Sequence, residues 1–182
     1  MQSELEILRD VSEKLTSQGI AFMLTGSLAM SHYAQPRMTR DIDIVVALKM
    51  QDTDKIVRLF EREYYVSAEA VLDAVQRGTM FNVIHFQSVV KVDFILLNHS
   101  NYEDEKFNRR RNVNFGGFET SLISREDLIL SKLMWAQNTG SEMQLKDVRN
   151  LLGPGCDMDY LRKWSEKLGV VEDLESQENA GA

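Results

Sequence analysis

Residues 24 to 46 read LTGSLAMSHYAQPRMTRDIDIVV, a run that sets two acids, Asp41 and Asp43, into otherwise apolar surroundings. Side chains alternate faces along a strand, so Asp41 and Asp43 share one side while Ile42 and Ile44 take the other. At a strand's rise the two acids leave the backbone roughly 6.6 Å apart and can converge on one ion or a close pair of ions. Hard oxygen ligands in this arrangement suit Mg²⁺ (or Mn²⁺), which keeps waters and shares its other positions with phosphate oxygens. A third acid, Asp93, lies in the apolar strand KVDFILL. Three carboxylates on neighbouring strands can hold two divalent ions about 3.5 to 4 Å apart, the separation used in in-line phosphoryl chemistry. Upstream, Thr25-Gly26-Ser27 joins a short strand to a helix. Free backbone N–H groups and the helix dipole make such a turn an anion site, and a glycine lets the backbone approach a phosphate closely.

Each fragment also has an ordinary explanation. A Gly-Ser before a helix is commonly a turn and an N-cap. An Asp-x-Asp pair is commonly solvated on an edge strand, and Asp93 has Lys91 two residues away as a partner. Taken together they resist this treatment, because unpaired charge buried among apolar residues is expensive. The joint reading is functional.

The elements that must position these residues alternate along the chain. Residues 3 to 17 place Leu5, Leu8, Val11 and Leu15 on one helical face, with Gly19 as the stop. A strand follows at 20 to 24, a helix at 27 to 34 and a strand at 41 to 48. Apolar spacing at Ile56, Val57, Leu59 and Phe60 predicts a helix, and 68 to 76 a shorter one. Strands at 81 to 87 and 89 to 97 bend at Ser88. The acidic segment 102 to 106 reads as helix, and 111 to 123 as a hairpin turning at Gly116 and Gly117. From Ser124, whose spacing to Asp127 fits a capping box, the chain is helical: to Gln137, then about 142 to 152 and 158 to 168. Residues 1–123 are thus expected to form an α/β core and 124–170 a helical subdomain. The tail 171–182 has the composition of a disordered segment. Trp135 and Trp164 are expected in the helical core.

Composition bounds the function. With 182 residues, 43% hydrophobic and 27% charged, the chain is long enough to bury a proper core. No apolar run has the length of a membrane helix, and a single cysteine, Cys156, points to a reducing cytoplasm. A net charge of -7 argues against broad binding to duplex DNA. There is no Walker A sequence, dinucleotide fingerprint or nucleophile elbow. His32, His85 and His99 lack metal-ligand spacing, and Arg109-Arg110-Arg111 beside the acids 103 to 105 reads as a solvated face.

The order Gly26-Ser27, thirteen residues, Asp41-x-Asp43 and a later strand Asp93 resembles the nucleotidyltransferase superfamily of the polymerase-beta type. Its closer likeness is to the AbiEii-like and related toxin nucleotidyltransferases, in the patterns Arg37-Met38-Thr39-Arg40-Asp41-Ile42-Asp43 and Lys91-Val92-Asp93. Glu126-Asp127-Leu128-Ile129-Leu130-Ser131-Lys132-Leu133 and the later Lys146-Asp147 complete the set, so the likeness covers roughly residues 20 to 152. Two positions depart from the pattern: Gln144 stands where the family often has Arg, and Ser27 where it often has a second Gly. The resemblance implies an α/β (α+β) fold, a mixed sheet flanked by helices and followed by a small helical bundle. It implies metal-dependent transfer of a nucleoside monophosphate from a nucleoside triphosphate to an acceptor hydroxyl of RNA, protein or a small molecule. Asp41, Asp43 and Asp93 are then the metal ligands. Gly26, Ser27, Arg37 and Lys132 meet the nucleotide's phosphates, and Lys132 and Asp147 complete the catalytic set. A toxin would also have an antitoxin partner, and a non-catalytic partner protein retaining the fold is the alternative.

Overall fold

The computed structural model describes residues 3–35 and 41–180. Two compact units divide the chain, one of Met1–Ala29 with Arg37–Ile123 and the other of Met30–Pro36 with Ser124–Ala182.

The first unit opens with α1 (Glu4–Ser17). Ser3 Oγ accepts the Glu6 N–H while the Glu6 carboxylate accepts the Ser3 N–H at 2.8 Å, so the expected helix start is sealed by a reciprocal cap. Ile7, Leu8, Val11 and Leu15 form its buried stripe. The strands are β1 (Phe22–Thr25), β2 (Asp41–Val46), β3 (Tyr64–Val66), β4 (Met80–His85), β5 (Lys91–Leu96), β6 (Arg111–Phe115) and β7 (Phe118–Leu122). Helices α2 (Gly26–Met30), α3 (Thr53–Phe60), α4 (Ala68–Arg77) and α5 (Asn101–Asn108) lie between them in sequence. The strands make one mixed sheet in the order β3-β4-β5-β2-β1-β7-β6. Its centre is the parallel pair β2 and β5, and β1 runs antiparallel to β2.

One sheet face is core. Ile42, Ile44 and Val46 of β2, Val92, Phe94 and Leu96 of β5, and Phe81 and Val83 of β4 are all buried. Phe94 packs between the rings of Phe60 and Phe81 at 5.4 and 5.0 Å. Burial of this kind contributes roughly 1.5 to 3 kcal/mol per large side chain, and it fixes the strand phase. The hairpin β6–β7 turns at Gly116 and Gly117 with φ of 62° and 93°, the left-handed pair that suits a two-residue turn.

The second unit contains α6 (Arg125–Thr139), α7 (Glu142–Leu151), α8 (Met158–Leu168) and α9 (Val171–Ala180). Here two sequence expectations are corrected. Residues 171 to 180 are helical rather than disordered, because Leu174 is fully buried and α9 packs on α7 and α8, a tertiary gain that composition does not show. Trp135 is 60% exposed, since α6 buries Leu128, Ile129, Leu133 and Ala136 instead, whereas Trp164 is buried. In the first unit, the helix expected over 27 to 34 stops at Met30, and β3 is a strand that the sequence does not predict. At three residues β3 is too short to show periodicity and exists through its pairing with β4.

Candidate active site

The strand pairing answers why acids interrupt an apolar run. Asp43 is the register partner of Asp93 on β5 and of Thr25 on β1, and Asp93 in turn faces Asn82 on β4. Side by side, the next row reads Ile84, Lys91 and Asp41. Register partners point to the same side of a sheet, as do residues two apart on a strand. All three acids therefore occupy the face opposite the core, while the isoleucines between them fill the core. Adjacent strands lie about 4.8 Å apart, so Asp43 and Asp93 project as immediate neighbours.

Lys91 Nζ lies 2.8 Å from Asp93 Oδ2 and 3.5 Å from Asp41 Oδ2. The hydrogen bond to Asp93, opposed by partial burial and assisted by the charges of Asp93 and Asp41, holds the Lys91 ammonium above the ordinary lysine range. Asp93 is only 7% exposed, and its Oδ1 is buried with no hydrogen-bond partner. A buried carboxylate oxygen without a protein partner is an acceptor open to a ligand or a water.

Gly26, the first residue of α2, has φ of 68°. A Cβ built there would fall 1.9 Å from Asp43 Oδ2, inside any tolerable contact. Only glycine lets the turn backbone lie against that carboxylate. Ser27 beside it is buried.

The oxygen chemistry of these side chains, rather than their present spacing, suits a hard divalent cation. Three carboxylates share one sheet face, one buried oxygen is without a partner, and an ammonium sits between two of the acids where positive charge is favoured. Among the described residues no three His, Cys, Asp or Glu side chains are gathered closely enough to hold a metal ion, and Lys91 pairs with two of these acids.

The second unit holds the other expected residues. Lys132 on α6 donates to Asp147 Oδ2 at 2.7 Å and to Gln144 Oε1 at 3.1 Å. Both Lys132 and Asp147 are nearly fully buried, so neither is the exposed side chain of an amphipathic surface. One turn earlier, Asp127 accepts from Ser124 Oγ at 2.5 Å and from Tyr160 Oη at 2.7 Å. Ser124 Oγ also accepts the Asp127 N–H, which anchors the start of α6 as its spacing predicts. Arg37 lies outside the described residues.

Sequence reasoning missed Asn82 as a neighbour of Asp93 and Gln144 as a partner of Lys132. Register brings Asn82 there, and nothing in a single strand reveals register. Gln144 could have been found from its spacing, since it stands three residues before Asp147 on one helix face. His85 bonds Ser88 at 2.9 Å and His99 bonds Asp104 at 2.8 Å, which gives both ordinary local roles. Arg110 lies 4.0 Å from the Phe107 ring and bonds its carbonyl.

No curated protein matches the chain by sequence. Solved structures share its fold. An antigenic nucleotidyltransferase-like protein from Paracoccidioides brasiliensis superposes with a TM-score of 0.57 at 19% identity, covering 96% of this chain and 91% of that one. The lincosamide antibiotic adenylyltransferase LnuA, solved with lincomycin bound, gives 0.53 at 16% identity over 82% of this chain and 96% of its own. ANT(2")-Ia, solved with adenylyl-2"-tobramycin, gives 0.57 at 11% identity with both chains fully covered. At these identities the likeness concerns the fold, which is the mixed α/β fold of nucleotidyltransferases. The sequence carries the family itself: residues 4–177 match the family described as nucleotidyl transferase of unknown function (DUF2204), and the chain belongs to it.

Proposed function

We propose that the protein transfers a nucleoside monophosphate from a nucleoside triphosphate to an acceptor hydroxyl and releases pyrophosphate, with Mg²⁺ (or Mn²⁺) bound by Asp41, Asp43 and Asp93. The observation that carries this reading is the buried, partnerless Oδ1 of Asp93 beside Asp43 on the non-core face of the sheet. Bound there, divalent ions would neutralise the triphosphate's charge and polarise the phosphoryl group under attack.

The chain's own residues have separable tasks. Gly26 keeps the turn backbone open to phosphate oxygens, and Ser27 offers its hydroxyl to them. Asp93 is placed to accept the proton leaving the acceptor hydroxyl as the new P–O bond forms and the bond to pyrophosphate breaks. Lys91, paired with Asp93 and Asp41, offsets part of their charge and holds the two carboxylates on one face. The resemblance makes Lys132, which Asp147 and Gln144 orient within its own unit, and Arg37 further candidates for phosphate charge.

The motifs leave three acceptor classes: RNA, a protein and a small molecule. A toxin role with an antitoxin partner is the narrower form of the same reading and rests on the resemblance to the AbiEii-like branch. The antibiotic adenylyltransferases that share the fold make a small molecule the natural first acceptor to try. Incubating the protein with each labelled NTP, Mg²⁺ and either total RNA, lysate or antibiotic panels tests the proposal. Label appearing in an acceptor and lost in Asp43→Asn supports it, and no label from any NTP with any acceptor contradicts it.

A further inference from the structure

The face that carries the acids continues outward, and its outer part is apolar and exposed. Tyr65 on β3 is the register partner of Ile84, which is itself the partner of Lys91. Tyr65 is 59% exposed, and Met80, two positions before Asn82 on the same face, is 50% exposed. At the end of β4 nearest Lys91 and Asp41, Phe86 is 59% exposed and Val89 74%.

This hairpin tip is tied by several hydrogen bonds. Val89 has φ of 59°, the one positive value at a non-glycine among the described residues, and a β-branched residue there is strained. The turn is nonetheless pinned. Val89 N–H donates to the His85 carbonyl and His85 N–H to the Val90 carbonyl, each at 3.0 Å. The His85 ring meets Ser88 Oγ at 2.9 Å and accepts the Ser88 N–H at 3.2 Å, while packing against Tyr64. Exposed apolar side chains on a strained, fully tied turn are costly for stability alone. They suit a preformed contact surface.

We infer that Tyr65, Ile84, Phe86 and Val89 form the acceptor platform of the site. It receives an uncharged apolar or planar portion of a small hydroxyl-bearing molecule whose hydroxyl reaches Asp93. This rests on the nucleotidyl-transfer reading and narrows its acceptor. Charge decides the class. Among the described residues Lys91 is the cation of these strand rows, and Asp93 and Asp41 hold it, so the described part of the platform offers no free cation to a polyphosphate backbone. Nor does the platform carry a carboxylate of its own to hold a polycation.

The test uses three probes on the full chain loaded with Mg²⁺ and ATP: lincomycin, with an alkyl-substituted ring beside its hydroxyls; tobramycin, a polycation; and a single-stranded RNA oligonucleotide. Pyrophosphate release is followed for wild type, Tyr65→Ala and Phe86→Ala, and Mg²⁺·ATP binding is measured separately by calorimetry. The expected result is stimulation by lincomycin above the other two. Each substitution then raises its KM at least fivefold while the ATP dissociation constant stays within twofold. Absence of stimulation by lincomycin, preference for tobramycin or RNA, or an unchanged KM in both variants overturns the platform. Failure of wild type to bind Mg²⁺·ATP overturns the transfer reading instead.

Discussion

Two regions of this molecule bury charge, and they treat it differently. In the second unit the buried aspartates are answered: Asp127 by Ser124 and Tyr160, Asp147 by Lys132, and Lys132 further by Gln144. On the sheet of the first unit, Asp93 is almost as buried yet keeps an oxygen with no partner, while one lysine is shared between it and Asp41. Charge that is satisfied within the protein holds a structure together. Charge left partly unsatisfied beside a glycine turn is poised for something that arrives from outside. The helical network is thus expected to respond to mutation through stability, and the sheet acids through ligand binding.

The largest stability effect should fall on the helical network. Lys132→Ala strands Asp147 in a nearly dry site, and breaking a buried pair of this kind costs about 3 to 5 kcal/mol. Denaturant unfolding would check this. It also separates Lys132 from a purely catalytic lysine, whose loss would lower transfer and leave the fold untouched. Lys132→Met, paired with Asp147→Leu to keep the site dry, should recover most of the stability but not the transfer. Recovery of both would make this pair purely structural.

On the sheet, Gly26→Ala should be the sharpest single change. Its Cβ would strike Asp43 Oδ2 at 1.9 Å, and the positive φ adds strain of about 1 kcal/mol. Transfer should fall at least a hundredfold, about 2.7 kcal/mol of barrier, with a smaller drop in melting temperature. Activity near wild type would mean that the turn moves freely and does not frame the nucleotide.

A smaller effect concerns pH and belongs to the core side of the first unit. Burial, then the hydrogen bond from Tyr64 Oη to Asp10 at 2.6 Å, pushes the Tyr64 hydroxyl well above the usual tyrosine range. An acid whose folded pKa is raised favours the folded state only while protonated. Its contribution is complete below the unfolded value of about 10 and is lost as pH climbs above it. Wild type should therefore lose stability above about pH 10, and Tyr64→Phe should lose less over that range while being less stable at pH 7 by about 1 kcal/mol. Identical alkaline slopes in the two proteins would remove Tyr64 from the account.

Much of this arrangement is legible in the chain's local patterns. The alternation of DIDIVV places the acids on one face, Ser124 marks the start of α6, and the paired glycines mark the β6–β7 turn, because each is a local rule of geometry. What escapes a local reading is set by distant contacts. The short strand β3 exists only against β4, and α9 is helical because Leu174 finds a pocket despite its polar neighbours. Register escapes too, and register is what puts Asn82 beside Asp93 and Tyr65 on the row of Lys91. The sequence names the acids, but which neighbour each one meets depends on pairing between strands.

Thermal unfolding of wild type and Asp93→Asn, each alone and with Mg²⁺, ATP or both, tests the central claim most directly. If Asp93 keeps an oxygen free for a ligand, Asp93→Asn without ligand should be as stable as wild type to within about 1 kcal/mol, since it gives up a part-exposed ion pair. Wild type should gain about 2.7 kcal/mol with Mg²⁺ and ATP together at a hundred times the dissociation constant, and little from either alone. The variant should lose that gain. A variant that is clearly less stable than wild type without ligand, yet gains the same from Mg²⁺ and ATP, would show that Asp93 is structural and would contradict the account.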